Sequence, residues 1–508
     1  MSVICADAGW ESMTSPVGVL KSSSVGYPGN PPYHPPGGCP ELAPFAGIDN
    51  DNTVYAAVRD LFLLMGFDKE RYGTANWNPL GWLVRPGETV FIKPNMIAHR
   101  DILSGESDHV VTHGSVIRPV IDYVYLALNG RGRILVGDSP QEDSSWRNIL
   151  EVMGLVEIQE YYLRQHGFSI DLLDLRDLHR KNERGIYSRT TKAKGDPLGS
   201  LVVNLGSDSE FAELDGRPTK YYGAYYDTDE TNDHHCRGKH EYAIAKSPIA
   251  ADVFIGIPKL KTHKKCGLTV SLKGLVGINA VKNWLPHYTF GSPATGGDQF
   301  SSDTVKSRLE NQVVLTFKNF LKKEGSIVSH FARSTKGLGY WLFGETDRVV
   351  RSGNWHGNDT VWRMALDLNR ILLYANVDGS MRRQGPPKRY FSVVDGIIGM
   401  EGDGPVAGTR KEAGVLLAGT NAVAVDAVCA RLIGFNYTRL PIIARAFGPH
   451  AFPLIGDRYD EITALSNHPS WNKPLVEWQL SDVYQFRPHF GWEGIVELHD
   501  SLHAGIKS

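Results

Sequence analysis

The hydrophobic positions of the chain fall into short apolar runs separated by longer amphipathic stretches. Several runs end in a polar turn that precedes a stretch of helical periodicity, which is typical of β–α units with parallel strands. We therefore predict an α/β fold with a mostly parallel sheet flanked by helices, in Rossmann-like layers with insertions. The predicted strands are residues 89–92, 133–136, 169–173, 201–205, 253–257, 390–394 and 414–417. The predicted helices are residues 52–67, 115–128, 146–165, 305–323, 355–374 and 421–433, the last capped by Asn421.

Local composition divides the chain into three regions. Residues 1–45 are rich in Pro and Gly and predict an extended arm on the surface. Residues 46–434 carry the β–α pattern, with two insertions at about 176–245 and 305–350. Residues 435–508 form a C-terminal extension whose pattern predicts no defined unit.

Charge and cysteine usage limit the classes of partner. The 508 residues carry a formal net charge of -2, which argues against nucleic-acid binding through bulk charge. The five cysteines form no C-x-x-C pair, so no local iron–sulfur or zinc motif is present and reduced thiols are expected. No apolar run reaches the roughly 20 residues of a membrane span, and no secretory signal is visible. We expect a cytoplasmic protein.

One stretch departs from this balance of charge. Between Asp252 and Asp298 the chain has no acidic residue. A positive field of this kind suits a phosphate or a carboxylate, and Gly267, Gly274 and Gly277 would let backbone N–H groups approach an anion, in a segment predicted to be helical. The alternative is a solvated lysine face or a protected sheet edge. The basic residues of the stretch are Lys259, Lys261, His263, Lys264, Lys265, Lys273, Lys282 and His287.

Four predicted strands end in turns that carry Lys93, Asp138, Lys259 and Asp395. Ligands of open α/β sheets bind outside the carboxyl ends of the strands, so we expect these four side chains to converge on one crevice. The alternative is that each turn is a solvated loop. The predicted anion-binding residues are Lys93, Asn95, Lys259, His263, Lys264, Lys282 and Asn283.

A glycine-rich segment at residues 395–405 carries the acidic side chains of Asp395, Glu401 and Asp403. Carboxylates on a flexible loop suit Mg²⁺, Mn²⁺ or Ca²⁺, so these three are predicted metal ligands, which Asp426 could join. The alternative is a tight turn whose acids face water. A second cluster, at residues 234–240, contains three histidines and a cysteine but matches no zinc motif, and we interpret it as a surface loop.

Several strings together resemble one family, the prokaryotic DUF362 domain proteins, a domain of unknown function. The resemblance covers roughly residues 88–434, and its most specific parts are the lysine-rich stretch and GMEGDGP. Some family members carry ferredoxin-like cysteine motifs, which implies a redox context, whereas this chain has none. The matching strings are IKPNM (92–96), THGSVIRPVID (112–122), ADVFIGIPKLKTHKKCGLTVSLKGLVGIN (251–279), KNWLPH (282–287), WHGNDTVWRMALDLNR (355–370) and DGIIGMEGDGP (395–405).

Three functional hypotheses stay open from the sequence. The first is an enzyme acting on a small anionic substrate, with Lys261, Lys273 and Asp395 as candidate catalytic residues. The second is a non-catalytic module that binds an anion or cofactor, and a peripheral redox-associated role is a further alternative. The basic, aromatic residues 327–343 predict either peripheral membrane contact or a lid or partner-contacting segment. The substrate, the reaction, the metal and the oligomeric state are not specified by the sequence.

Overall fold

The computed structural model describes residues 16–22, 26–183, 186–217, 220–304, 308–310, 312 and 349–499. Its centre is a sheet of ten strands, of which eight run in the order β17-β1-β16-β15-β11-β2-β3-β4, while β12 pairs with β15 and β13. The strands are β1 (Val17–Lys21), β2 (Thr89–Pro94), β3 (Arg133–Asp138), β4 (Ile170–Asp174), β5 (Leu178–Glu183), β6 (Ile186–Lys192), β7 (Ser200–Asn204), β8 (Tyr221–Tyr222), β9 (His235–Cys236), β10 (Lys239–Ala245), β11 (Val253–Ile257), β12 (Lys259–His263), β13 (Gly267–Thr269), β14 (Tyr288–Thr289), β15 (Arg389–Glu401), β16 (Thr409–Gly419) and β17 (Ala464–Ser466).

Helices cover the central sheet on both faces. They are α1 (Thr53–Leu64), α2 (Gly114–Leu128), α3 (Trp146–Met153), α4 (Leu155–His166), α5 (Thr228–His234), α6 (Lys246–Ala250), α7 (Ser271–Gly274), α8 (Val361–Tyr374), α9 (Ala422–Leu432) and α10 (Pro441–Ala444). Side chains of α1 to α4 pack in one core on one face of the sheet, and those of α8 and α9 pack in a second core on the other face. None of the helices in the described ranges is long and apolar enough to cross a membrane.

The predicted mostly parallel sheet is confirmed. Strands β15, β11, β2, β3 and β4 are successive parallel neighbours, and β16 pairs antiparallel with β15. The sequence Val253–Ile257 is buried along its whole length, as expected for a parallel strand covered on both faces. Successive residues alternate between the two cores: Val253 and Ile255 enter the core of α1 to α4, and Phe254 enters the other.

Two helix predictions differ from the structure in an instructive way. The stretch predicted as one helix at 146–165 is two helices, because Gly154 adopts a left-handed conformation (φ 64°) that ends α3 and precedes α4. The segment from Gly267, predicted to be helical, begins instead with β13 and contains the single turn of α7 followed by a short 3-10 helix at Leu275–Ile278. The predicted cap of α9 is confirmed, since the Asn421 side chain accepts hydrogen bonds from the N–H groups of Val423 and Ala424.

The terminal regions contribute to the central sheet. Within the predicted arm, β1 is largely buried and pairs antiparallel with β16 and parallel with β17 of the C-terminal extension. The first insertion forms the hairpin β5–β6, the small sheet β7–β10–β9, and β8, which pairs with β14. Most of the second insertion, including most of the predicted helix at 305–323 and residues 327–343 with their predicted membrane or lid role, lies outside the described residues.

Candidate functional site

A cavity of about 530 Å³ opens at the carboxyl ends of β2, β3 and β11, on the face of the sheet that packs against α8. We call it the lysine cavity. Lys93 follows the apolar part of β2, Asp138 ends β3, and Gly256 lies near the end of β11. The ends of these parallel strands therefore bring the side chains of Lys93 and Asp138 to the cavity, as the position of ligands in open α/β sheets led us to expect. The segment between β12 and β14 covers these strand ends. The charged lining residues are Lys93, Asp138, Glu142, Asp143, Lys264, Lys265, Lys273 and Lys282.

Lys93 and Asp138 form a buried ion pair in the lining, with 2.9 Å between Lys93 Nζ and Asp138 Oδ1. Backbone N–H groups complete the carboxylate's partners, because Ser139 donates to Oδ1 and Met96 donates to Oδ2, each at 2.8 Å. The pair packs directly on Gly277, where an added Cβ would lie 1.7 Å from Asp138 Oδ1 and 2.5 Å from Lys93 Nζ. The glycine therefore makes room for the ion pair.

Lys273 is the least constrained of the cations that are at least half-buried in the lining of the lysine cavity. Among the described residues its ammonium group has no hydrogen bond and no carboxylate in ion-pair distance, although the side chain is half-buried in the lining. Burial lowers the pKa of Lys273, the neighbouring Lys93 lowers it further, and Asp138 opposes the shift. An anion in the cavity would supply the missing counter-charge.

Three further lysines contribute positive charge with different degrees of constraint. Lys282 donates to the carbonyl of Val276 at 2.9 Å, and burial lowers its pKa to about 7. Lys265 donates to the carbonyl oxygens of Ser352 at 2.6 Å and His287 at 3.3 Å, and its ammonium lies 4.7 Å from the ring centroid of Tyr288. Lys264 lines the same cavity with an exposed side chain.

Two histidines in the lining present opposite hydrogen-bonding groups. His287 Nδ1 lies 2.7 Å from the carbonyl oxygen of Leu285, which can only accept, so Nδ1 carries the hydrogen and Nε2 of the neutral ring has a lone pair. His263 Nδ1 accepts from the N–H of Lys265 at 3.0 Å, so its hydrogen is on Nε2. Burial lowers the pKa of His287 to about 3 and that of His263 well below its ordinary value, which keeps both rings neutral.

The remaining wall of the cavity is largely aromatic. Tyr222 and Tyr288 stack with centroids 4.8 Å apart, and Tyr187 lies in the same lining. Phe254 and Tyr390, neighbours on β11 and β15, stack with centroids 5.9 Å apart and line the sheet side of the cavity. Such walls accept an apolar or planar body beside the charged groups.

The other predicted site residues divide between the cavity and the protein interior. Five of the seven predicted anion-binding residues, Lys93, Asn95, His263, Lys264 and Lys282, line the cavity. Asn283 does not line it, because it is fully buried and its amide bonds Tyr225, Asp227 and Glu230.

Lys259 and Asp395 do not line the lysine cavity, although both were predicted to meet Lys93 at one crevice. They form a fully buried pair with 3.0 Å between Lys259 Nζ and Asp395 Oδ2. The hydroxyl of Tyr27 donates to Asp395 Oδ1 at 2.6 Å and accepts from Lys259, and the N–H of His113 donates to Oδ2. This network joins residues that are distant in sequence. The ammonium of Lys259 and the carboxylate of Asp395 bond one another and their neighbours, so they are not available to a substrate.

Lys261, a predicted catalytic residue, is also absent from the cavity lining. Its ammonium is fully buried and donates to the carbonyl oxygens of Val110 at 2.8 Å and Pro405 at 3.3 Å. Burial lowers its pKa to about 7, and the nearby Lys259 and Lys273 lower it further. The side chain therefore holds two loops together instead of facing the cavity.

The structure does not bring the predicted metal ligands together. The segment predicted as a loop continues as β15 up to Glu401, so Asp395 and Glu401 are six residues apart along a strand, which is roughly 20 Å. Glu401 pairs with Lys411 at 3.3 Å, and Asp403 is half-exposed with His489 at 3.7 Å. Asp426 instead accepts from the N–H groups that begin α7. The ranges given above contain no group of three or more His, Cys, Asp or Glu residues that could hold a metal ion.

The histidine cluster of the first insertion is a structural feature, and only partly a surface loop. His235 and His240 are buried, while His234 stacks on Trp284 with centroids 3.3 Å apart. His235 Nε2 donates to the Trp284 carbonyl at 2.8 Å, which ties the insertion to the segment carrying Lys282. The aromatic residues Tyr187 and Tyr222 of this insertion are cavity residues that the sequence analysis missed, and the clustered tyrosines at 221–226 were the available signal.

Comparison with known proteins gives a family and no closer relative. A family model described as "Domain of unknown function (DUF362)" matches residues 90–193 and 203–431. No curated protein and no solved structure matches the chain. The matched ranges contain β2, β3, β11 and the segment that covers them, and so hold most of the lysine cavity. They span more than half of the 508 residues, and the chain therefore belongs to the DUF362 family.

Proposed function

We propose that the lysine cavity binds a small anionic ligand, carrying a phosphate or a carboxylate, and that the protein is an enzyme acting on it. The observation that supports this best is Lys273, an ammonium group in a cavity wall with no counter-ion among the described residues. A half-buried charge without a partner is costly, and a bound anion removes that cost.

The balance of charge in the lining favours an anion. Five lysines stand against three carboxylates, and two of those carboxylates are engaged, Asp138 by Lys93 and Glu142 by Arg180. A bound anion would raise the pKa of Lys282, which is lowered to about 7, so binding near neutral pH should take up protons.

Chemistry on the ligand requires a group that can change its protonation state. Lys273 is the best candidate, because burial lowers its pKa, which makes its proton easier to remove, and its amine is not held by a carbonyl oxygen as that of Lys282 is. Lys282 is less suited, since its amine already donates to the Val276 carbonyl. A non-catalytic binding module would use the same contacts, and it is the second hypothesis to test.

Isothermal titration calorimetry with inorganic phosphate and phenyl phosphate tests the binding. Lys273→Met should weaken binding of the tighter probe by about tenfold or more, as expected for a lost charged hydrogen bond. Lys69→Met, which removes an exposed lysine outside the lining, is the matched control and should bind like the wild type. Equal affinity of all three proteins, or no binding of either probe, would overturn the proposal.

Lys273→Arg separates the enzyme from the binding module. Arginine keeps the positive charge but does not lose its proton, so an enzyme would still bind its substrate and no longer convert it. Native mass spectrometry of both proteins, purified from the same host, compares the ligands that they retain. Different ligand masses in wild type and variant support the enzyme, whereas the same retained ligand in both supports the binding module.

A further inference from the structure

The two histidines of the lysine cavity present different hydrogen-bonding groups at Nε2. His263 presents an N–H at Nε2, and His287 presents a lone pair at the same ring position, because each Nδ1 is engaged by the backbone. Among the described residues no hydrogen bond reaches Nε2 of His287, and the half-buried ring lines the cavity. Its free acceptor therefore belongs to a lining that also contains five lysines, which only donate.

The carboxylates of the lining each have a partner at one oxygen or more, although Oε1 of Glu142 is buried without one. Asp138 is paired with Lys93 and two backbone N–H groups, and Glu142 is paired with Arg180. Asp143 accepts from the side chain of Asn182 at 2.7 Å. The oxygens of a carboxylate or of a fully ionised phosphate cannot satisfy His287, since they also only accept. The ligand atom opposite His287 Nε2 must carry a hydrogen.

The dimensions of the cavity indicate an organic body. Its volume of about 530 Å³ lies in the range of roughly 300–1,000 Å³ of sites for organic ligands. Lys93 is the register partner of Gly256, and Phe254 lies two residues before Gly256 on the same face of β11. At about 3.3 Å per residue, the aromatic part of the sheet surface begins roughly 7 Å from the charged part. A ligand that spans both parts is larger than a bare inorganic ion.

We propose that the ligand is an organic anion with a hydroxyl or amine hydrogen close to its charged group, and that His287 Nε2 accepts this hydrogen. The inference rests on the proposed anion binding and adds the class of ligand. The ammonium of Lys273 and the N–H of His263 hold the oxygens of the charged group. Tyr390 and the stacked pair Tyr222 and Tyr288 contact the organic body.

Matched ligand pairs test the proposal by calorimetry. Mandelate and phenylacetate differ by the hydroxyl next to the carboxylate, and glycerol 3-phosphate and propyl phosphate differ by hydroxyls near the phosphate. In at least one pair the hydroxylated member should bind the wild type about tenfold more tightly, the upper end expected for one neutral hydrogen bond. It should also bind more tightly than inorganic phosphate.

Two asparagine variants serve as a matched set, because the asparagine amide can replace Nδ1 of a histidine but does not reach Nε2. His287→Asn keeps a donor for the Leu285 carbonyl and should abolish the discrimination between pair members. His263→Asn keeps an acceptor for the Lys265 N–H and should weaken both members alike, leaving the discrimination intact.

Each outcome decides between the two proposals. Equal binding of both members in both pairs, or discrimination that survives in His287→Asn, overturns the ligand class while anion binding stands. No binding of any anion overturns both proposals. Long-range ¹H–¹⁵N NMR spectra of the wild type provide a readout that needs neither variant nor ligand. They should show His287 protonated at Nδ1, and protonation at Nε2 would overturn the inference.

Discussion

Gly277→Ala is the sharpest test of the geometry around the lysine cavity. The added Cβ would lie 1.7 Å from Asp138 Oδ1 and 2.5 Å from Lys93 Nζ, where ordinary contacts require about 3.4 Å. The backbone of Gly277 is in a conformation that alanine can adopt, so the effect is steric. Either the ion pair or the segment that carries Gly277 has to move by more than 1 Å.

The expected loss of stability follows from the ion pair that the carboxylate of Asp138 forms with Lys93. Overpacking a well-packed site costs about 1–3 kcal/mol, and breaking a buried ion pair by removing one partner costs about 3–5 kcal/mol. Gly277→Ala displaces the pair without removing a partner, so we expect the free energy of unfolding to fall by about 1–3 kcal/mol. Affinity for phenyl phosphate should fall as well, because Lys93 leaves its place in the lining.

Gly274→Ala is the control within the same segment. A Cβ at Gly274 would have no atom within 4 Å, and its helical backbone suits alanine. Reduced entropy of the unfolded chain should then stabilise this variant by about 0.4–1 kcal/mol. Denaturant titration of the three proteins measures both effects. If Gly277→Ala were as stable as Gly274→Ala, Asp138 and Lys93 would not pack on Gly277 as described.

Three further predictions concern buried charge. Lys261 has a pKa lowered from 10.5 to about 7, so between pH 7 and pH 10 the unfolded chain binds more protons than the native one. In denaturant titrations the free energy of unfolding of the wild type, relative to that of Lys261→Met, should therefore rise by about 1.4 kcal/mol per pH unit in this window. A difference that does not change with pH would contradict the lowered pKa of Lys261. Lys282, with a pKa of about 7, loses its charge as pH rises, so affinity for phenyl phosphate should fall between pH 6 and pH 8 by up to about tenfold per pH unit. If the affinity measured by calorimetry rises instead, the Lys282 ammonium does not bind the anion. Asp395→Asn leaves the ammonium of Lys259 buried without its counter-ion, and denaturant titration should show a loss of about 3–5 kcal/mol in the free energy of unfolding. The control Asp403→Asn, at a half-exposed position, should change the free energy of unfolding by no more than about 0.5 kcal/mol. Equal effects of the two variants would contradict the buried network of Lys259 and Asp395.

The parallel sheet was predictable because its strands are short apolar runs followed by helical periodicity. Strands β1 and β17 were not, because each is short and lies in a region without that alternation. Their pairing depends on contacts between residues more than 400 positions apart, which a local pattern does not contain. The helical periodicity from Gly267 was misleading, since the apolar residues there are buried from several directions and not along one helical face.

The candidate site was predictable where it follows from sheet topology. Lys93 and Asp138 end neighbouring strands, and they meet as the strand-end rule requires. The lysine-rich stretch was overinterpreted, because the absence of acidic residues near Lys259 in sequence does not mean their absence in space. Asp395, 136 positions away, neutralises Lys259, and carbonyl oxygens hold Lys261. The histidine tautomers could not be predicted, because they depend on backbone groups positioned by the fold.

A crystal of the protein soaked in tungstate tests the central claim most directly, since tungsten scatters anomalously and tungstate resembles phosphate in shape and charge. We predict an anomalous peak inside the lysine cavity, with a tungstate oxygen within hydrogen-bonding distance of Lys273 Nζ. The peak should be absent from an equally soaked crystal of Lys273→Met. An empty cavity in the wild type, with tungstate bound only at surface lysines, would contradict the account.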